Sequence, residues 1–229
     1  KRRTGNLMAR RGISDYGVYF NLLKSNEEAL QEFLDYLTIN VTEFFRDPAM
    51  FQILEEKIIP ELWAKRAVLK IWSAACSNGA EPYSVVMILE DLKPGGLYRI
   101  EATDIDKKIL AAAVKGSYPA DLLKNVSPAR LKKYFRQEGQ EFVFREEFKR
   151  RVTFRHHDLL KDPFSKGYDL IICRNVQIYF TKEAQNRLIR QFSEALNPGG
   201  YLFVGASETI FNYRDFGFEK SYLSFYRKL

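Results

Sequence analysis

The stretch that decides the fold runs from Leu69 to Tyr83 and reads LKIWSAACSNGAEPY. It begins with an apolar run, continues through small residues at 73–79, and ends with Glu81-Pro82 at the head of an amphipathic segment. This order predicts a strand, a tight loop and a helix. Small side chains let a ligand approach the loop backbone, and the free amides of the helix create a positive end there. The stretch is therefore a candidate cofactor cradle, with an ordinary strand-to-helix turn as the alternative.

A second apolar segment, Leu97 to Ala102, ends in Thr103-Asp104. A carboxylate at the end of this strand can accept hydrogen bonds from both hydroxyls of a ribose. The cradle has one glycine, Gly79, so the G-x-G-x-x-G dinucleotide pattern is absent, and no P-loop lysine follows it. Together the two segments predict the nucleoside-binding half of a doubly wound sheet.

The rest of the chain predicts an α/β domain with two additions. Apolar residues at helical spacing between residues 13 and 37 predict helices, and we expect a helical N-terminal domain and linker at residues 1–60. Strands and helices then alternate over residues 61–229, where the buried strand YDLIIC occupies 168–173. At about residues 117–150 the alternation breaks into a short hairpin pattern, which predicts a small β insertion. Apolar residues alternate along residues 216–227, which predicts an antiparallel pair of strands that closes the sheet.

Two further stretches carry polar residues in places where packing does not require them. Arg174-Asn175 follow the strand at 168–173, at the sheet edge where open α/β sheets bind ligands. The segment TINVTEFFRDP at residues 38–48 is the second. Its alternative interpretation is structural, since Thr42 can cap one helix and Asp47-Pro48 can begin another.

Composition restricts the class of protein. Hydrophobic residues at 46% and charged residues at 28% are typical of a soluble globular chain. No apolar run approaches the roughly 20 residues of a membrane span, and no apolar signal region follows the basic N-terminus, so we expect a cytoplasmic protein without stable membrane insertion. Two cysteines do not make a disulfide framework, and His156 and His157 are the only histidines, so no metal site is expected.

The net charge of +7 favours an anionic partner, whether nucleic acid, an anionic membrane surface or an acidic protein. The charge is unevenly distributed. Lys1 to Gly12 contains five basic residues and no acid, and Lys124 to Arg151 contains nine basic residues against four glutamates. The alternative for each cluster is a solvated face without a partner.

Five stretches, taken together, carry a specific resemblance to a known family: Thr38–Arg46 (TINVTEFFR), Trp72–Ser84 (WSAACSNGAEPYS), Ala102–Asp106 (ATDID), Cys173–Phe180 (CRNVQIYF) and Leu196–Glu208 (LNPGGYLFVGASE). In this order they resemble the CheR-type chemotaxis receptor methyltransferases, which use S-adenosylmethionine to methylate glutamates of chemoreceptors. The resemblance implies a doubly wound, Rossmann-like methyltransferase sheet over residues 61–229. It also implies a protein-glutamate O-methyltransferase that acts in chemotaxis adaptation.

The resemblance also implies roles for individual residues. Those expected to contact S-adenosylmethionine, or the product S-adenosylhomocysteine, are Asn40, Thr42, Arg46, Glu81, Asp104, Asp158, Leu159, Arg174 and Asn175. Glu81 is expected beside the amino-acid end of the donor, Asp104 at the ribose, and Asp158-Leu159 beside the adenine. Arg46 and Tyr179 are the expected catalytic residues, which position the substrate carboxylate.

Departures from the family pattern refine these expectations. Ala80 stands where a second acid often precedes the proline, and Ile39 replaces a common threonine. The turn at residues 137–140 is short compared with members that bind a receptor's C-terminal peptide, so we expect no such tether. The expected partner is the cytoplasmic helical domain of a chemoreceptor, bound by a monomer.

Two other functions compete with this one. A nucleic-acid methyltransferase would explain the positive charge, but Arg174-Asn175-Val176-Gln177 stands where an Asn/Asp-Pro-Pro-aromatic motif would grip a base, so no nucleic-acid partner is expected. A non-catalytic module that senses the cofactor and docks to a signalling partner is the second alternative.

Overall fold

The structure is a computed structural model that describes residues 2–37 and 42–229. The chain divides into two compact units, Lys1–Val41 and Thr42–Leu229. This division differs from the predicted domain boundary at residue 60. The helical segment between residues 48 and 65 belongs to the larger unit, because its side chains Phe51, Leu54 and Ile58 are buried in the main core of that unit.

The smaller unit contains the helices α1 (Arg2–Arg10), α2 (Tyr16–Ser25) and α3 (Glu27–Leu37). Asp15 caps α2 by accepting a hydrogen bond from the amide of Val18 at 2.8 Å, and Asn26 accepts one from Ala29 at 2.8 Å. These short polar side chains satisfy amides that a helix start leaves unpaired. The helices enclose a small core of Leu7, Met8, Tyr19, Leu23 and Ala29.

Within its described residues the larger unit has the strands β1 (Leu69–Ala74), β2 (Tyr98–Asp104), β3 (Ser117–Pro119), β4 (Phe135–Glu138), β5 (Glu141–Phe144), β6 (Val152–His156), β7 (Tyr168–Cys173), β8 (Leu196–Val204), β9 (Phe218–Tyr222) and β10 (Phe225–Lys228). Its helices are α4 (Pro48–Ile53), α5 (Ile59–Lys65), α6 (Ala80–Leu92), α7 (Lys107–Lys115), α8 (Pro128–Tyr134), α9 (Glu146–Lys149) and α10 (Lys182–Ala195). A π-helical stretch, Leu54–Ile58, joins α4 to α5.

Seven of these strands form the main sheet, in the order β6-β2-β1-β7-β8-β10-β9. The first five are parallel, and β10 pairs antiparallel with both β8 and β9. The predicted doubly wound α/β sheet and the antiparallel closing pair are both confirmed. The strand order reverses between β1 and β7, which makes their carboxyl ends the topological switch point where such sheets bind ligands.

Both faces of the sheet are covered, and alternate residues of β1 show how. Ile71 belongs to the core that includes α6, whereas Trp72 and Ala74 belong to a second core beneath α10. This period of two is the ordinary alternation of a strand, and burial on both faces explains why the run is almost continuously apolar.

The insertion predicted at about residues 117–150 is a small antiparallel sheet in the order β3-β5-β4. The β4–β5 pair is the expected hairpin, and Gly139 supplies the positive φ of 62° at its turn. The insertion packs on α6, because the ring of Phe144 lies 4.4 Å from that of Tyr83, centroid to centroid. It therefore borders the loop that precedes α6.

Candidate functional site

The candidate site lies at the carboxyl ends of β1, β2 and β7. The loop after β1 turns sharply, with positive φ angles of 65° at Ala75, 51° at Ser77 and 86° at Gly79. A Cβ atom at Gly79 would lie 3.0 Å from the Cβ of Ala113, closer than ordinary van der Waals contact, and the positive φ adds strain, so both favour glycine here. The loop thus brings the strand to the start of α6 in a few residues and leaves its backbone beside the switch point.

Glu81, in the first turn of α6, is brought against two partners. Its carboxylate accepts a hydrogen bond from the hydroxyl of Ser73 at 2.8 Å, and its second oxygen lies 3.5 Å from Nη1 of Arg174. Burial raises the pKa of Glu81, while the Arg174 charge and the two hydrogen bonds oppose that rise. The site therefore holds a buried carboxylate next to a buried guanidinium. The resemblance implied a donor contact for each of these residues, and their pairing was not predicted.

Asp104 ends β2 and ties that strand to the β1 loop. Its carboxylate accepts hydrogen bonds from the amides of Ser77 at 2.8 Å and Asp106 at 3.0 Å. Burial raises the pKa of Asp104, and the amide hydrogen bonds lower it in part. Each oxygen of a carboxylate has two lone pairs, so both can still accept a ligand hydroxyl.

Arg174, directly after β7, connects the sheet to the segment that carries Arg46. Its side chain is 3% exposed, and Nη2 donates to the backbone carbonyl of Arg46 at 2.9 Å and to the carboxylate of Asp47. Its guanidinium also lies 4.7 Å from the ring centroid of Phe203. Arg46 and Thr42 are half-buried. Neither the Asp47 contact nor the Phe203 contact was predicted from the sequence.

The same segment is anchored by its aromatic pair. Phe44 and Phe45 are buried in the main core, and the amide of Phe45 donates to the hydroxyl of Ser84 at 3.0 Å. The two rings therefore serve packing, and they hold the backbone of the segment whose Arg46 carbonyl accepts from Arg174. Asn40, the other polar residue predicted here, lies outside the described residues.

The loop after β6 carries Asp158 and Leu159 to the neighbourhood of Asp104. The amide of His157 donates to the backbone carbonyl of Asp104 at 3.0 Å. Asp158 accepts a hydrogen bond from the amide of Leu160 at 2.9 Å, and Leu159 is buried in the second core. The structure thus places this pair beside the expected ribose acid, although the Asp158 carboxylate is partly used within its own turn.

The loop after β7 contains Asn175 and Tyr179. Asn175 has a positive φ of 62°, and its amide donates to the carboxylate of Glu208 at 2.6 Å. Tyr179 ends a 3₁₀ turn, Gln177–Tyr179, and is 54% exposed. Glu208 had no predicted role. The sequence does offer a signal for this residue: an acid three residues after Gly205, at the end of the strand-and-loop stretch LNPGGYLFVGASE.

Among the described residues, no group of three or more His, Cys, Asp or Glu side chains is arranged to hold a metal ion. In the same part of the chain, no helix combines the length and apolarity that a membrane span requires.

The sheet order, the switch point and the acid at the end of β2 fit a Rossmann-like nucleoside-binding fold. The family match places the chain in one class with such a fold, the S-adenosylmethionine-dependent methyltransferases. The comparisons identify the family within this class. Residues 40–224 match the description "CheR methyltransferase, SAM binding domain", and residues 1–38 match "CheR methyltransferase, all-alpha domain". The chain belongs to the CheR methyltransferase family, and the enzyme uses S-adenosylmethionine as its methyl donor.

Several curated relatives are similar over most of this chain. A chemotaxis protein methyltransferase of Listeria innocua is 38% identical over 218 residues, which cover 95% of this chain and 83% of that protein. Chemotaxis protein methyltransferase 1 of Pseudomonas aeruginosa is 36% identical, with 93% of this chain and 82% of that protein covered. A chemotaxis protein methyltransferase of Borreliella burgdorferi is 37% identical, with 91% and 78% covered.

The residues of the site fit this donor. Nε of Arg174 is buried and has no hydrogen-bond partner in the described part of the chain, which suits a ligand carboxylate. Glu81 is the acid that suits an ammonium group, and Asp104 retains acceptor capacity for ribose hydroxyls. A mononucleoside donor has no pyrophosphate, which accounts for a cradle with a single glycine.

Proposed function

We propose that this enzyme methylates glutamate side-chain carboxylates on the cytoplasmic helical domain of chemoreceptors. Membership of the CheR methyltransferase family carries the proposal, supported by relatives that are named chemotaxis protein methyltransferases. When bound, S-adenosylmethionine supplies a methyl carbon on a positively charged sulfur. A carboxylate oxygen that bonds to this carbon displaces the sulfur, which leaves as a neutral thioether.

The acceptor chemistry agrees with the residues of the site. A glutamate has an ordinary pKa of about 4.3, so it is ionised at pH 7 and the reaction needs no general base. The protein must supply proximity and orientation, which can contribute roughly 7–11 kcal/mol. A site built from acids and arginines around one cradle is suited to that task.

We assign the donor contacts as follows. Glu81 holds the ammonium group and Arg174 the carboxylate of the amino-acid end, because the two side chains lie together and Nε of Arg174 has no hydrogen-bond partner among the described residues. Asp104 holds the ribose hydroxyls. The remaining proposed donor contacts are Asn40, Thr42 and Arg46 from the TINVTEFFR stretch, Asn175 after β7, and Asp158 with Leu159 at the adenine.

Arg46 and Tyr179 orient the acceptor carboxylate. Arg46 is supported for this role because Arg174 holds its backbone carbonyl, which links its position to the donor pocket. The exposed ring of Tyr179 supports the same role, since an acceptor that lies on another protein must meet residues at the surface. Arg46 must not bind the acceptor carboxylate so tightly that its oxygen becomes a poorer nucleophile.

The partner is an acidic helical bundle, which a chain with a net charge of +7 complements. We expect a cytoplasmic monomer that needs no tether to a receptor's C-terminal peptide and does not modify nucleic acid.

The test is incubation with radiolabelled S-adenosylmethionine and either receptor membranes or nucleic acid. The expected result is label in receptor protein that is released as methanol at alkaline pH, because a carboxyl ester is base-labile. Receptors with alanine in place of the methylated glutamates are the control. Label in nucleic acid would support the competing methyltransferase, and no transfer to any acceptor would support a cofactor-sensing module.

A further inference from the structure

Glu208 is a buried acid in the loop after β8, with 7% of its surface exposed. Its carboxylate accepts three backbone hydrogen bonds, from Asn175 at 2.6 Å, Gln177 at 2.7 Å and Gly205 at 2.8 Å. Two of these donors belong to the loop after β7 and one to its own loop. A single side chain therefore joins the two loops at the carboxyl ends of neighbouring strands.

The surroundings of the carboxylate leave little room for another arrangement. A Cβ atom at Gly205 would lie 2.6 Å from the nearer Glu208 oxygen and 3.0 Å from Nδ2 of Asn175. Asn175 itself has a positive φ of 62°, a conformation that costs energy in a non-glycine residue and needs support from its surroundings. The short hydrogen bond from its amide to Glu208 provides that support.

We infer that Glu208 is a positioning residue for methyl transfer, which sets the loop from Asn175 to Tyr179 in its working conformation. Three converging amide dipoles stabilise the negative charge of the carboxylate, and the carboxylate in turn fixes the direction of the backbone. The inference rests on the proposed role of this loop in binding donor and acceptor. Glu208 acts through Asn175 and Tyr179 and touches neither donor nor acceptor itself.

The substitution that tests this inference is Glu208→Gln. An amide side chain has one accepting oxygen, so at least one of the three backbone amides would face an NH₂ group instead of an acceptor. We expect turnover to fall about 10-fold, because small misplacements of positioning groups are costly, and donor affinity to fall by a smaller factor. Rates with receptor acceptor and calorimetry with S-adenosylhomocysteine measure the two effects.

Glu90→Gln is the matched control. Glu90 is also 7% exposed, and it accepts a hydrogen bond from the hydroxyl of Tyr98 at 2.6 Å near the end of α6. Its loss removes a buried carboxylate of equal exposure away from the site. We expect a lower melting temperature with unchanged turnover and donor affinity.

A second variant and a second readout keep the test independent of folding losses. Gly205→Ala displaces the Glu208 carboxylate without changing that residue, because its Cβ atom would lie 2.6 Å from a Glu208 oxygen. The same Cβ would lie 3.1 Å from the backbone nitrogen of Asn175, so this variant disturbs the same junction from the opposite side. It should reproduce the kinetic change of Glu208→Gln. Amide hydrogen exchange followed by NMR should show faster exchange at residues 175, 177 and 205 in both variants and not in Glu90→Gln.

Two results would overturn the inference. One is wild-type exchange at the three amides in Glu208→Gln, and the other is a loss of activity no greater than that of Glu90→Gln. The exchange and donor-binding measurements use no acceptor, so they remain informative if chemoreceptors prove not to be the substrate. That failure would appear separately, as absence of transfer by the unmodified enzyme.

Discussion

Arg46 lies between two non-glycine residues with positive φ, Phe45 at 52° and Asp47 at 61°. Such conformations cost on the order of 1–3 kcal/mol each and persist where the surroundings enforce them. Here the buried ring of Phe45 and the contact of Asp47 with Arg174 do so. The backbone around Arg46 is therefore fixed by tertiary contacts before any substrate arrives.

Arg46→Ala should lower turnover by one to two orders of magnitude, roughly the loss caused by misplacing a reacting group, while donor affinity falls less. Initial rates and calorimetry with S-adenosylhomocysteine separate the two effects. Arg136→Ala, on the exposed hairpin, is the control and should change neither. Wild-type rates and affinity in Arg46→Ala would remove Arg46 from the proposed role.

Asp104→Ala should mainly weaken donor binding, because it removes the acceptor for the ribose hydroxyls. Asp106→Ala is a close control: Asp106 caps α7 by accepting from the amides of Lys108 and Ile109, and its loss should cost about 1 kcal/mol of stability without changing donor affinity. Calorimetry and thermal melts measure the pair. Normal affinity in Asp104→Ala would count against the ribose contact.

Donor affinity should decline with acidification earlier than ordinary carboxylates would predict. Burial raises the pKa of both Glu81 and Asp104, and the ionised forms are the ones that bind, so affinity is lost as the pH falls through the raised values. Below them affinity should fall about tenfold per pH unit for each group protonated. Glu81→Gln should bind weakly and show a shallower dependence. A flat profile down to the ordinary range of acids would contradict this prediction.

At the scale of elements, the β insertion supports the proposed donor pocket as well as packing on α6. Tyr118 of β3 is buried and donates from its hydroxyl to the backbone carbonyl of Asn78, at 2.8 Å, in the loop after β1. A strand more than thirty residues further along the chain thus supports the cradle. The insertion is part of the construction of the site.

Tyr118→Phe should therefore weaken donor binding several-fold, since one neutral hydrogen bond contributes about 0.5–1.5 kcal/mol. Tyr134→Phe is the control: Tyr134 is equally buried but donates to Asp91 at 2.6 Å, on the far half of α6. We expect Tyr134→Phe to lower the melting temperature and leave donor affinity unchanged. Equal donor affinities for the two variants would show that the Asn78 contact does not support the cradle.

At the scale of the whole molecule, the positive charge bears on how quickly the enzyme meets its acceptor. Raising salt from low to moderate concentration should slow receptor methylation, because it screens attraction between a basic protein and acidic helices. Donor affinity, measured in the same buffers, should change little. A methylation rate independent of salt would leave the basic clusters as solvated faces.

Much of the fold and part of the site follow from local pattern. The run from Leu69 to Tyr83 specifies strand, loop and helix, because the change from apolar to small to amphipathic residues is contained within fifteen positions. Asp104 was recognised for the same reason, as an acid at the end of a strand. The segment Asn197-Pro198-Gly199-Gly200 has the composition of a helix stop and does follow α10, yet it lies within β8, which begins at Leu196.

The contacts missing from the sequence interpretation join residues that are distant along the chain. Asp47 and Arg174 are separated by 127 positions, and Asn175 and Glu208 by 33. Asp47 before a proline reads as a helix cap, yet its side chain makes no cap hydrogen bond and turns to Arg174 instead. Nothing in the local sequence distinguishes these two uses of a carboxylate.

The sequence by itself determined the order of strands and helices, the cradle after β1, the acid at the end of β2 and the resemblance to the CheR methyltransferases. Each of these depends on residues close together in the chain, or on motifs recognisable one at a time. Only the tertiary structure decided that Arg174 holds the Arg46 segment and that Glu208 joins the loops after β7 and β8. The physical reason is that buried charges take whichever partners the packed sheet brings within hydrogen-bonding distance.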